Sequence, residues 1–125
     1  YNGVDTPPYA NEDEENNLRV FQSRSGHRLT FDDTKDKERI ELILHNEEIK
    51  VIWDSANKVL SVYSGKDIII EAKETISVKC KDFTLEAENN VSVKSGADTK
   101  IEAGGDMNQQ AAGTLSMDAN LITLN

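Results

Sequence analysis

The run VSVKSGADTKIEAGGD, residues 91–106, holds two consecutive eight-residue units of one outline. Each reads apolar, polar, apolar, charged, small, then three turn-like residues, with Thr99 standing in the first apolar place of the second unit. The unit recurs from residue 60 to the end of the chain. Its small residues are Ser64, Ala72, Cys80, Ala87, Ser95, Ala103, Ala111 and Ala119, spaced by eight except for one step of seven between Cys80 and Ala87. Two positions earlier stand Val62, Ile70, Val78, Leu85, Val93, Ile101, Gln109 and Met117. Four earlier stand Leu60, Ile68, Ile76, Phe83, Val91, Thr99, Met107 and Leu115. Apolar residues at alternate positions share one face of a short strand, and the small residue joins them where backbones come close. Turn formers such as Gly65, Gly96, Gly104-Gly105 and Gly113 follow.

The period sets a geometric problem. A five-residue strand offers two large apolar side chains and one small one, whereas a chain that encloses a core by itself in a solenoid needs coils of about twenty residues or more. An octad cannot go all the way round alone. Three chains wound together can, each supplying one side of a triangular prism. Burial of one Val or Ile contributes roughly 1.5–3 kcal/mol, so two per rung per chain, trebled and stacked, give a rigid rod. The repeat therefore implies an intertwined homotrimer, with Val62, Ile70, Val78, Leu85, Val93, Ile101 and Met117 in its core. The outward column beside them reads Tyr63, Glu71, Lys79, Glu86, Lys94, Glu102, Gln110 and Asp118. Its sign alternates through five rungs, which suits strands stacked in register, since like charges side by side are unfavourable.

Composition agrees. The chain has 125 residues, of which 37% are hydrophobic and 6% aromatic, and its mean hydropathy is −0.58. That is thin material for a self-sufficient core, and leaves either partial disorder or a fold completed by other copies. The net charge of −9 argues against nucleic acid, whose phosphates call for clustered Lys and Arg. No apolar run approaches the length of a membrane helix. Cys80 is alone, so it forms no intrachain disulfide and belongs to no Cys-rich metal site. The chain has no signal peptide and starts at Tyr1, which reads as a fragment of a longer protein or a processed piece.

Before the octads the period differs. Residues 1–17, YNGVDTPPYANEDEENN, carry two prolines and an acidic run and read as an extended linker. Residues 18–58 read as strands and a hairpin. LRVFQSRSGHRLTFDDT (18–34) is two strand-like runs around Ser25-Gly26, with Leu18, Val20 and Gln22, then Leu29 and Phe31, picked out by alternation. RIELILH (39–45) and EIKVIWD (48–54) are further strands, with turns at Asn46-Glu47 and at Ser55 to Lys58. Nothing has a helical period, so the fold class is all-β.

RSGHRLTFDDTKDKERIEL (24–42) resembles the segment that joins the OB-fold domain to the trimeric needle in VgrG spike proteins of type VI secretion and in related phage baseplate spikes. YNGVDTPP (1–8) resembles the exit from that OB domain, and the octads resemble the triple-stranded β-helix of contractile-phage central spikes. The resemblance covers essentially the whole chain. It implies a homotrimer at the tip of a contractile tail, with the C terminus distal and the tail tube and baseplate met through a preceding N-terminal part. A contracting sheath would drive the needle through a target-cell membrane, and a PAAR-repeat protein would cap its point. It also implies assembly in the bacterial cytoplasm, then life in a virion or outside the cell. The chain departs from some relatives: it has no lysozyme-like domain and no HxH iron-binding apex, because His27 and His45 are far from its end.

Single residues add little chemistry. Residues 107–125 carry one charge, Asp118, whereas 59–106 carry nine acids and six bases. Leu121, Ile122, Thr123, Leu124 and Asn125 then read as a flat, partly apolar tip that docks a partner, or as a last turn tucked into the core. Gln109 and Thr99 interrupt the apolar columns, as register devices or tolerated defects, or as holders of water or an ion on the threefold axis. Cys80 fills a small-residue slot and reads as buried and inert. Phe31 and Trp53 read as core anchors. His27 with Asp32, Asp33 and Ser25 has the residue types of acid–base or nucleophilic catalysis but lacks a pocket to hold them. The two aspartates read instead as hairpin caps or partners of Arg28 or Arg39. Glu12, Asp13, Glu14 and Glu15 read as a solvated linker, because they lack the alternating ligands of a calcium loop. Neither a cofactor nor an enzymatic activity is expected. The function expected is mechanical, a membrane-piercing needle; the competing reading is a trimeric receptor-binding fibre or tailspike fragment.

Overall fold

The computed structural model describes residues 15–125. The linker segment YNGVDTPP and the acidic residues Glu12, Asp13 and Glu14 lie outside the described residues. The chain divides into two units, Tyr1–Val78 and Lys79–Asn125. The described residues are all-β: one antiparallel sheet of five strands and no helix.

The sheet is a meander of β1 (Leu18–Gln22), β2 (Arg28–Asp32), β3 (Arg39–Ile43), β4 (Ile49–Asp54) and β5 (Val59–Ser64), each hydrogen-bonded to the next. Local chemistry sets every reversal. In the β1–β2 hairpin the Gly26 amide donates to the Ser23 carbonyl at 2.9 Å, and the His27 amide donates to Ser23 Oγ at 3.1 Å. Gly26 sits at φ 90°, where an L side chain is strained. Asp32 opens the next reversal by accepting the Thr34 amide at 3.0 Å. Asp54 opens the last by accepting both the backbone and the side-chain amide of Asn57, each at 3.0 Å. The first is an Asx turn and the second a side-chain bond three residues on; such local bonds are the reason Asp and Asn favour strand ends. Asp36, Glu47 and Lys58 each take the left-handed backbone that closes its turn.

Register sorts the side chains. One row across the sheet runs Arg19, Phe31, Ile40, Trp53, Leu60; the next row on the same face runs Phe21, Leu29, Leu42, Val51, Val62. The opposite face carries Asp32, Arg39 and Asp54 in one row and Thr30, Glu41, Ile52 and Ser61 in another. Arg39 Nε lies 2.7 Å from Glu41 Oε1 and 3.8 Å from Asp32 Oδ2, stitching β2 to β3. The sheet thus has an apolar face and a mixed face, as alternation in β3 and β4 leads one to expect. β1 differs from its expected orientation. Leu18 and Val20 share the mixed face with Asp32 and Thr30, and Phe21 joins Leu29 on the apolar one. The five-residue connection Ser23 to His27 fixes that pairing, and a shift of one residue exchanges the faces of a whole strand.

No described residue is buried. A sheet that is hydrophobic on one face needs a second layer to cover it, and the described residues supply none. β5 is also the first octad: Leu60, Val62 and Ser64 lie on the apolar face opposite Trp53, Val51 and Ile49. After Ser64 no residue belongs to a strand paired within the chain.

Gly26 is the most constrained turn position. A methyl group there would meet His45 Cβ at 3.1 Å, at a φ that L residues avoid. Gly26→Ala should lower sheet stability by about 1–3 kcal/mol, read as a reduced denaturant midpoint; an unchanged midpoint would show that the hairpin re-forms around the methyl group.

Candidate assembly surface

The octads carry the site. Within them the chain bends immediately after each small residue, at 65–66, 73–74, 81, 88–89, 96–97, 104–105, 112–113 and 120. The bends reproduce the period of eight and its one step of seven. Between bends the backbone is left unpaired. The last backbone–backbone hydrogen bond of the described residues is donated by Gly65 to the Glu48 carbonyl at 2.7 Å. Beyond it only contacts within a bend or a rung remain, such as Ser95 Oγ donating to the Asp98 carbonyl at 3.0 Å and the Lys100–Glu102 ion pair at 3.0 Å.

From Gly65 to Asn125 every residue is exposed. Of the expected core residues, Val62 lies on the apolar face of the sheet, opposite Val51. Ile70 and Val78 stand bare in the first unit, and Leu85, Val93, Ile101 and Met117 in the second, with Val93 77% exposed. The tip residues are as open: Leu124 is 86% exposed, and Leu121, Ile122, Thr123 and Asn125 are exposed. Cys80, expected in a covered slot, is exposed within the single chain. Beyond their own two chain neighbours, Gly96, Gly104, Gly105 and Gly113 have no described atom within 4 Å of where a Cβ would stand, and none has a left-handed φ. Nothing inside the chain therefore requires glycine at these bends.

The sheet adds a second part. A hollow of about 500 Å³ at one end of the sheet is lined by Phe31, Ile40, Trp53 and Leu60 together with Asp32, Arg39 and Asp54, and another of about 420 Å³ lies at Phe21, Leu29 and Leu42. Phe31 and Trp53 flank Ile40 in one row, and Trp53 remains 44% exposed. Sequence reasoning named these two anchors but missed Phe21, 66% exposed on the same face. Alternation alone could not place it.

The polar constellation comes apart. Asp32 is held by Thr34 and Arg39, while Asp33 pairs with Arg19 at 2.7 Å and Arg28 with Glu47 at 3.3 Å. His27 faces His45 instead, their ring centroids 5.3 Å apart and the His45 amide donating to His27 Nδ1 at 3.3 Å. The two histidines, which looked isolated in the sequence, are brought together by the β1–β2 and β3–β4 connections. Among the described residues no group of three or more His, Cys, Asp or Glu is placed to hold a metal ion, and no helix is long and apolar enough to cross a membrane. Among the described residues Glu71, Lys79, Glu86 and Lys94 form no ion pair, whereas Glu102 pairs with Lys100. Comparison with protein-family models and with curated proteins returned no match to this chain.

Two turn carboxylates titrate below their ordinary value. Thr34, first through its side chain and then its backbone, with the charge of Arg39 and Lys37, lowers Asp32; partial burial opposes this. The Asn57 side chain and then its backbone lower Asp54. A depressed carboxylate adds stability that is complete above its unfolded value of about 3.9 and is lost as pH falls through the lower folded one. Asp32→Asn should therefore be less stable than the parent chain at neutral pH. The gap should close below the folded value, and urea titrations at the two pH values check it.

Proposed function

We propose that this chain is the C-terminal needle of a contractile injection spike, of type VI secretion or a phage tail, acting as an intertwined homotrimer. The observation that carries this reading is the run from Gly65 to Asn125, with all its apolar residues bare and no backbone hydrogen bond between its rungs. Backbone N–H and C=O groups are obligatory hydrogen-bonding groups, and apolar columns of this length are a liability unless covered. Copies of the same chain supply both needs. Each octad becomes a rung on one side of a triangular prism, its small residue and glycine bend passing where a neighbour's backbone comes close. The sheet follows the same logic, three apolar faces turning inward so that Trp53 and Phe21 are covered.

The job is mechanical. A dry core of Val, Ile, Leu and Met along a narrow prism gives stiffness without an active site, and a charged outer face keeps it soluble. The sheath's thrust would pass down this rod to the target-cell membrane. The uncharged end, Leu121, Ile122, Thr123, Leu124 and Asn125, would seat a PAAR-like cap or an effector, and the tail tube and baseplate would be met through a preceding part. Such a spike assembles in the bacterial cytoplasm and leaves in a virion or by secretion.

Light scattering on the purified chain should give three times 13.9 kDa, and unheated SDS gels should retain the trimer. Val93→Asp or Ile101→Asp should abolish it, because three new charges, one from each copy, cannot share a dry core. Trp53 is the only tryptophan, so its emission should shift to the red when the assembly is dissociated. A well-folded monomer would sink the intertwined needle.

A further inference from the structure

We infer that the outward charge column is an inter-chain lock, in which each charged rung of one copy pairs with the next charged rung of a neighbouring copy. This deepens the trimer reading and rests on it. Two observations carry it. In the second unit the column reads Lys79, Glu86, Lys94, Glu102, alternating in sign, before Gln110 and Asp118 end the alternation. Within the chain none of these residues pairs with another of them, since the one ion pair there joins Glu102 to Lys100 of its own rung. The charges are fully matched in order and left without each other.

Symmetry says where the partners are. A chain that moves to the next side of the prism with every octad leaves the adjoining rung on its first side to another copy. Threefold symmetry makes that copy one octad further along. Each side is then built from successive octads drawn in rotation from the three chains, about 4.8 Å apart. Lys79 of one chain comes to lie beside Glu86 of the next, Glu86 beside Lys94, and Lys94 beside Glu102. Other stackings fail on charge. Pairing equal octads sets Glu86 against Glu86, and pairing octads two apart sets Lys79 against Lys94, both unfavourable at strand spacing. The seven-residue step between Cys80 and Ala87 shortens the turn without disturbing the order of signs. The second outward column, Ser77, Thr84, Ser92 and Lys100, is neutral until its last rung. The alternation is thus confined to one column, and a chain displaced by one octad against its neighbours would set like beside like at every charged rung.

The test uses the full chain. Isotope-labelled and unlabelled copies are refolded together in equal parts and treated with a carbodiimide, which joins a carboxylate to an adjacent lysine amine. Mass spectrometry should find Lys79–Glu86, Glu86–Lys94 and Lys94–Glu102 links, with mixed-label pairs as frequent as like-label ones. Lys94→Glu, which creates two like-charged contacts on every side, should speed loss of the trimer on heating by about tenfold, and adding Glu86→Lys should recover part of it. A trimer whose links are all like-label, or whose heat stability ignores Lys94→Glu, overturns the lock while the needle stands. A monomer overturns both.

Discussion

Everything in this chain depends on a repeat too short to close its own core. Eight residues give one five-residue strand and one bend, and a strand of that length carries apolar side chains on one face and hydrogen-bonding groups along both edges. In the isolated chain neither need is met: Val93 and Ile101 stand in the open, and the backbone between bends has no partner. A globular domain meets both demands with its own later segments. Here each later segment repeats the same deficit, so more sequence only lengthens the requirement. Association is the physical remedy, and the proposed trimer is its simplest closed form.

The five-stranded sheet handles the same constraint differently. Its backbone is paired between β1 and β5 by antiparallel neighbours, leaving only the outer edges of those two strands open, and its mixed face is held by short-range contacts such as Arg39 between Glu41 and Asp32. Such half-exposed ion pairs add little energy individually; they align β2 with β3 and keep polar side chains on one side. The apolar side is left uncovered, with Trp53, Leu60 and Val62 facing out. β5 belongs to both regimes. It pairs with β4 as a sheet strand, and its Leu60, Val62 and Ser64 begin the octad columns. The change from in-chain to missing partners falls at Gly65.

Side chains with chemical potential are used for local architecture. Asp32 and Asp54 accept turn amides, His27 accepts the His45 amide, and Ser23 closes its own hairpin. Their hydrogen-bonding capacity goes into the turns of a single open sheet. That arrangement suits a part whose proposed task is to transmit force, for which turn rigidity matters and a reactive centre does not.

The sequence by itself determined the all-β class, the sites of β1 to β5, the octad period with its single short step, and the alternation of charge. Each is a local pattern: period two sets faces, small residues and turn formers set bends, and both are written within about eight residues of one another. The tertiary structure alone decided which face Phe21 shares, that Arg19 and not Arg28 meets Asp33, that His27 meets His45, and that the first octad is a sheet strand. Those outcomes depend on register, and register depends on how many residues each connection holds and which of them adopts a left-handed turn. Gly26, Asp36, Glu47 and Lys58 fix it through φ values that no alternation of apolar and polar residues encodes.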